Sequence, residues 1–479
     1  MRNLVVIVAD TLRRPSTVPG YGGKSTMPFL EGASPGAEVF PTAIASSPWT
    51  LPSHASLLAG SDPWQVHWHG AQIRAPRGPT LADRFREAGG ESAAYSANGL
   101  LAPEYGFLRE YGSLNRYALN RTVAPWAWEA LHPLAQAGPR EGGRLLGETG
   151  GAGGAAGAPS QEGAAAGPGS RVAGSLADLG VRFLLSGRML ISGVDRYLRR
   201  RRSDKPLHLF VNLMETHEPY RLRPSAGGGP VPKDFSLPMM SLAPRTARLT
   251  SVPEARGWVE EGYLRTLTQL DQRLSEVFEV LARRGVLRDA WVVLLSDHGQ
   301  ALGEQGFFGH GHSLQDEIVR VPCALWRFRR NEGVRDRAPY AEPFDLRHLH
   351  DALLGSLEEG GEGGLPAALG KAVAERGPPL SYWEGPDLLD VGTSRPESER
   401  RPLVRRLRIW KGDRDVVVEQ GLVEERGRIL YRPRPEDPRT DELVEEAGRI
   451  LERSTPGALP PGASNRNEVE RRLRSWGYA

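Results

Sequence analysis

Two apolar runs in this sequence stop abruptly at an acidic residue. Residues 290–295 (AWVVLL) lead into Ser296, Asp297 and His298, and residues 4–9 (LVVIVA) lead into Asp10. Short, almost wholly apolar runs suit buried parallel strands. Burial inside a sheet cannot satisfy an ionised carboxylate, so each Asp must emerge at the carboxyl end of its strand. In open α/β sheets that edge is where ligand crevices form. Asp beside His offers one hard and one borderline ligand, suited to a divalent ion such as Zn²⁺ or Mn²⁺. The structural alternative for each Asp is a turn that it merely caps. Two apolar strands each ending in Asp are, however, what a metal site at one sheet edge requires.

Three further stretches carry reactive side chains. Thr50 stands two residues before Pro52 in SPWTLPSHASLLAG, and residues 53–58 read as helix. A hydroxyl just ahead of a proline-containing first turn is helix-start chemistry, so Thr50 is read either as an N-cap or as a nucleophile. In the second case the attacked phosphoryl or sulfuryl group faces the helix's free N–H groups and positive dipole end. His217 follows a strand pattern at 207–213, just beyond its end and beside Pro219. His310 and His312 lie in a Gly-rich loop after Asp297 that can fold back over the same crevice. His67 and His69 alternate as on one side of a strand, but no carboxylate lies near them in sequence to complete a site.

The elements needed to hold these residues are legible as periodicities. A helix pattern over 80–88 leads into a strand at 92–96 ending near Asn98, a βαβ rhythm that argues for a mainly parallel sheet. Residues 184–202 suit an amphipathic helix ending in four arginines, a solvated and electrostatically favourable helix end. Leu264, Leu267, Leu270, Leu274, Val277, Phe278 and Leu281 form the buried stripe of a long helix ending at Gly285 and feeding the 290–295 strand. Residues 345–354 suit one more helix, 355–370 read as a loose Gly/Glu-rich segment, and 441–451 as a helix. Between 404 and 431, short alternating runs separated by turns suggest a small antiparallel sheet. Residues 138–170 reduce largely to Gly, Ala, Pro and Ser, which cannot bury a core and reads as a disordered surface insertion. The expected fold class is α/β: a large domain over 1–335, a linker and helical segment over 336–400, and a small C-terminal α+β subdomain with an antiparallel sheet over 401–479.

The 479 residues are too many for one small core. With 61 basic against 58 acidic residues, the formal charge of +3 gives no electrostatic case for a nucleic-acid partner. No apolar run is long enough to span a bilayer, and Asp10 interrupts the N-terminal run before any signal-peptide pattern forms. The single Cys323 excludes an intramolecular disulfide and any cysteine-rich metal site. A cytoplasmic enzyme is the default expectation.

Taken in order, VVIVADTLR, SPWTLPSHASLLAG, METHEPY and SDHGQALGEQGFFGHGH resemble the sulfatase family within the alkaline phosphatase superfamily. The Asn98 segment and a late ILYRPRPEDP extend the likeness over most of the chain. The resemblance implies an alkaline-phosphatase-like fold and one or two divalent ions (Zn, Mn, Mg or Ca). It implies Asp10, Asp297 and His298 as ligands, with Thr50 as both ligand and nucleophile. His310 falls where many sulfatases place a Lys that contacts the transferable group, and His217 matches a His approaching that group. His312, Arg13, His54 and Asn98 are further candidates for substrate contacts. The departures from the pattern are specific. Sulfatases place at position 50 a Cys or Ser that becomes formylglycine, and an Arg at position 54; this chain has Thr50 and His54. Thr11 replaces a second Asp, and His298 a frequent Asn. The set Asp/Thr/Asp/His looks more like that of the Thr-using phosphotransferases of the superfamily. The expected function is therefore metal-dependent hydrolysis or transfer of a small phosphate or phosphonate ester through Thr50. The alternatives are a sulfate ester, or a catalytically dead member that binds.

Overall fold

β1 (Asn3–Ala9) sits at the centre of the molecule, and its sequence explains why. All residues from Leu4 to Ala9 are fully buried, which requires apolar cover on both faces of the sheet. The computed structural model describes residues 2–15, 26–66, 76, 78–98, 100, 101, 103, 107–116, 187–218, 220, 254–311, 313–329, 340–358, 364–385, 404–421, 428–431 and 438–454. After β1, the strands of the first half are β2 (Ala37–Val39), β3 (Ala43–Ile44), β4 (Glu91–Ser96), β5 (Ser113–Arg116) and β6 (Leu207–Leu213). They continue with β7 (Ala290–Leu295), β8 (Ala301–Leu302), β9 (Phe308–Gly309), β10 (Cys323–Phe328) and β11 (Phe344–Asp345). The last four are β12 (Leu380–Gly385), β13 (Val404–Lys411), β14 (Arg414–Gly421) and β15 (Arg428–Tyr431). The helices are α1 (Pro28–Ala33), α2 (Thr50–Ala59), α3 (Pro63–Val66), α4 (Leu81–Glu87) and α5 (Gly187–Arg200). They are followed by α6 (Ala255–Arg283), α7 (Asp316–Val319), α8 (Leu346–Glu358), α9 (Gly364–Arg376) and α10 (Pro438–Arg453).

The main sheet has seven strands in the order β2-β10-β7-β1-β6-β4-β5. Strands β7, β1, β6, β4 and β5 run parallel, while β10 is antiparallel to both β7 and β2. Alternation along β1 divides the core. Val5 and Ile7 pack in one cluster with Leu190 and Val194 of α5 and Leu267, Leu270 and Leu274 of α6. Leu4, Val6 and Val8 pack in the other with Leu51, Ala55 and Leu58 of α2 and Leu349 and Leu353 of α8. The expected layering of a mainly parallel sheet between helices is what forms.

A second sheet, β12-β13-β14-β15, is antiparallel throughout, and Leu443, Ala447, Ile450 and Leu451 of α10 cover it. Its first strand, β12, comes from residues 380–385, within the segment expected to be linker and helix. The stretch 355–370 was expected to be loose, but α9 begins at Gly364. Its buried Leu365, Leu369 and Ala372 recur at helical spacing, which outweighs the local glycine content. The 138–170 insertion, His67, His69 and His312 lie outside the described residues. Among the described residues, no helix is long and apolar enough to cross a membrane.

Candidate active site

β1 pairs with β6 on one side and β7 on the other, so the three strands end level with one another. Asp10, the turn after Leu213 and the Ser296–His298 turn therefore share one patch of the sheet's carboxyl edge. Loop hydrogen bonds fix them there. Asp10 N–H donates to Leu213 O at 2.9 Å, and the Thr216 hydroxyl donates to Asp10 O at 2.6 Å. Gly299 must be a glycine, because a Cβ there would lie 2.1 Å from Glu317 O.

Asp10, Asp297 and His298 are fully buried, and one ligand atom from each lies within 4.8 Å of the others. Asp10 Oδ2 accepts from Asn98 Nδ2 at 2.7 Å. Asp297 Oδ1 accepts from His298 N–H at 2.9 Å, with Thr11 N–H at 3.4 Å. The other two oxygens, Asp10 Oδ1 and Asp297 Oδ2, have no hydrogen-bond partner among the described residues. His298 Nδ1 lies 3.0 Å from Gly299 O, which can only accept, so this nitrogen carries the proton. Nε2 is then the lone-pair nitrogen, 3.4 Å from Asp297 Oδ2 and 3.9 Å from Asp10 Oδ1.

The electrostatics of this cluster describe a site short of positive charge. Burial, then repulsion from Asp297, raises the Asp10 carboxyl from 3.8 to about 6. Burial raises Asp297 from 3.8 to about 7. Burial also holds His298 down at about 4, so it is neutral near pH 7 and cannot offset the carboxylates. Two unpartnered carboxylate oxygens and a neutral imidazole lone pair fit a divalent cation by donor type and by charge.

Thr50 opens α2 rather than capping it. The N-cap is Trp49, in extended conformation and with no side-chain cap bond. Pro52 falls in the first turn, where its missing N–H costs no helical bond. The Thr50 hydroxyl is thereby left to the site: Oγ1 lies 3.4 Å from His298 Nε2 and 3.4 Å from Asn98 Nδ2. His54, one turn on, places Nδ1 2.9 Å from Thr50 O and 3.4 Å from Asp297 Oδ2. Burial keeps its pKa down at about 3, so it too is neutral.

His310 and His217 complete a wall of imidazoles. The His310 ring lies 4.5 Å from that of His298 and 4.9 Å from that of His217, centroid to centroid. His310 Nδ1 is 2.7 Å from Gln300 Oε1, and Gln300 Nε2 donates to Glu218 Oε2 at 3.0 Å. His217 Nδ1 donates to Glu218 O at 2.6 Å. In each ring Nδ1 is committed to an acceptor, which directs any further polar chemistry to Nε2.

Eight of the ten site residues named from sequence thus converge: Asp10, Thr50, His54, Asn98, His217, Asp297, His298 and His310. Arg13 is buried, and its guanidinium is directed to Glu304, with which it pairs at 2.7 Å; its backbone N–H donates to Tyr263 OH at 2.8 Å. His312 is outside the described residues. Gln300, Glu218 and Tyr263 were not singled out from sequence. The first two adjoin motif residues, but Tyr263 is one buried aromatic on a long helix, with no local signal.

The site thus sets a buried carboxylate–imidazole cluster with the donors for a divalent cation beside a helix-start hydroxyl, at the carboxyl edge of an α/β sheet. Residues 185–350, which carry His217, Asp297, His298 and His310, match the family model described as Sulfatase. Over that stretch, about a third of the chain, the protein is similar to sulfatases. Among solved structures it is similar to the phosphonate monoester hydrolase of Silicibacter pomeroyi, with TM-score 0.55, 16% identity and 95% of each chain covered. A sulfatase from Bacteroides thetaiotaomicron, described as putative in its own report, gives TM-score 0.53 and 15% identity over 98% of this chain and 94% of that one. A 2-O GAG sulfatase gives 0.52 and 16% over 98% and 94%. At these identities the likeness is one of fold. By sequence, no curated protein matches the chain.

Proposed function

We propose that this protein is a metal-dependent hydrolase or transferase of phosphate or phosphonate esters, with Thr50 as nucleophile. The observation that carries the reading is the Thr50 hydroxyl, freed from capping and set 3.4 Å from His298 Nε2 beside two half-satisfied carboxylates. Asp10, Asp297, His298 and Thr50 would hold the cation. A divalent ion held there would supply positive charge that favours loss of the Thr50 hydroxyl proton to solvent and offsets charge on the ester.

The Thr50 oxygen forms a bond to phosphorus as the ester P–O bond breaks in line. The departing oxygen takes a proton from Nε2 of His310 or His217. Asn98 Nδ2, which bridges Asp10 and the Thr50 oxygen, holds the attacking atom in place. Water, or an acceptor alcohol, then attacks phosphorus; the Thr50 O–P bond breaks and Thr50 regains a proton. The similarity to a phosphonate monoester hydrolase supports this class of substrate.

A sulfate ester is the second reading, and the Sulfatase family match favours it. Thr50 argues against it: oxidising a threonine yields a ketone rather than the aldehyde of formylglycine. Metal analysis with a panel of aryl phosphates, phosphonates and sulfates, assayed with added Mn²⁺, Zn²⁺, Mg²⁺ or Ca²⁺, tests the reading. Metal-dependent cleavage of phosphorus esters is expected. A protein that takes up no metal and cleaves nothing is a binding protein, and the enzyme reading is lost.

A further inference from the structure

The two segments that bear Thr50 and His310 come from distant parts of the chain, and a single strand of the small sheet touches both. β12 is an edge strand; the register pairs Tyr382 with Leu407 of β13 on its inner side. Its outer side does not face solvent. Tyr382 N–H donates to Ser46 O at 2.9 Å, four residues before Thr50. The Trp383 indole N–H donates to Gly311 O, one residue after His310. Gly311 N–H in turn donates to Pro48 O at 2.9 Å, so both polar groups of that residue are engaged. Gly311 also holds a φ of 80°, a conformation that suits glycine and leaves little slack for the residue beside it.

The strand that makes these contacts is itself anchored at both ends. Asp345, at the end of the short β3–β11 pair, accepts Leu380 N–H at 2.8 Å and pairs with Arg347 at 2.6 Å. β3 leads directly into the Ser46 segment. At the other end, the Arg406 guanidinium lies 5.0 Å from the centroid of the Trp383 ring and pairs with Glu419 at 2.7 Å. That arrangement holds the plane of the buried indole, and with it the direction of its N–H.

We propose that β12 sets the distance between the nucleophile segment and the His310 loop, with the Tyr382 backbone N–H and the Trp383 indole N–H as the positioning groups. The C-terminal sheet is then part of the active centre's framework rather than an appended subdomain. This builds on the proposed roles of Thr50 and His310, but the hydrogen-bonded circuit is independent of the substrate.

Trp383→Phe tests it, because it removes the indole donor while keeping an aromatic ring in the site, at the cost of part of the buried packing. Two readouts are needed, in the full chain loaded with the metal that supports activity. Hydrogen exchange resolved to peptides covering 308–314 and 44–51 should quicken roughly tenfold or more, while peptides from the main sheet exchange as in the wild type. Against aryl phosphate, kcat should fall about tenfold or more with KM little changed, since misplacing the attacking and proton-donating groups weakens the transition state and not binding. Unchanged exchange in both segments, with wild-type kcat, overturns the proposal. If the wild type cleaves no ester, the proposed function fails, but the exchange comparison still decides the positioning role. If Trp383→Phe does not fold, the wild type decides it: slow exchange of the Gly311 amide supports a loop pinned on both sides, and exchange at the rate of an open loop overturns it.

Discussion

Replacing Asp297 by Asn should make the metal-free protein more stable, increasingly so as pH rises from about 4 to 7. The reason is the charge deficit at the sheet edge. Asp297 is raised from 3.8 to about 7 by burial, and Asp10 from 3.8 to about 6 by burial and by Asp297. Below about pH 4 both carboxyls are protonated whether the chain is folded or not, and the site costs nothing. Between pH 4 and 7 the unfolded chain ionises first while the native site retains its protons. The folded state therefore loses stability as pH rises through that window. At roughly 1.4 kcal/mol per pH unit, the displacement of Asp297 sets a ceiling of about 4 kcal/mol. Asn keeps the oxygen that accepts from His298 N–H and offers an amide toward His298 Nε2, so little is lost in exchange. Because Asp10 relieves part of the repulsion in the wild type, a gain of about 1–3 kcal/mol is expected at pH 8 in chelator, less than half of that at pH 5, and almost none below pH 4. Urea unfolding of both proteins at pH 8 and pH 5 measures it. Added divalent ion should reverse the order at pH 8, stabilising the wild type by about 2.7 kcal/mol at a hundred times Kd and the variant hardly at all. An Asp297→Asn protein that is the less stable one at pH 8 in chelator, or one stabilised equally at both pH values, would refute the charge-deficit account.

Thr50→Ala should lose on the order of 10³-fold in kcat with near-native stability, since Thr50 caps nothing; Thr50→Ser should keep appreciable activity. A cap role would instead show as about 1 kcal/mol of lost stability with activity spared, readable by urea unfolding beside steady-state kinetics. Gly299→Ala should cost about 1–3 kcal/mol and weaken metal uptake together, because the new methyl meets Glu317 O and pushes His298 out of place; calorimetry and metal titration check both. Thr11 holds a φ of 59°, unfavourable for a β-branched residue, and its buried hydroxyl lacks a partner among the described residues. Thr11→Gly should therefore be neutral to stabilising, by up to about 1 kcal/mol in thermal unfolding, where most core truncations destabilise.

What the sequence disclosed followed from periodicity and from conflict. The apolar runs ending at Asp10 and Asp297 announced buried strands, because a carboxylate after such a run has nowhere to go but the sheet's edge. The stripe from Leu264 to Leu281 likewise marked α6. Elements built by long-range pairing left weaker traces. β3 and β11 are two residues each and exist only through pairing with segments far away in the chain. The Gly-rich text around α9 masked a helix whose Leu365 and Leu369 are stabilised by burial in the core shared with α8 and α2. Within the site, the residues that react were visible by type, whereas those that orient them were not. Gln300 and Glu218 fix imidazole tautomers through contacts that only the folded loops create. Trp383 reaches its loop from more than seventy residues away.

The central claim is that Thr50 carries the transferred group. Mixing metal-loaded enzyme with an aryl phosphate, quenching in acid within milliseconds and mapping the digest by mass spectrometry examines that bond itself. Phosphate on the SPWTLPSH peptide at Thr50, appearing and decaying at rates compatible with turnover, is the predicted result. An active enzyme whose Thr50 stays unmodified, together with a Thr50→Ala variant as fast as the wild type, would contradict it.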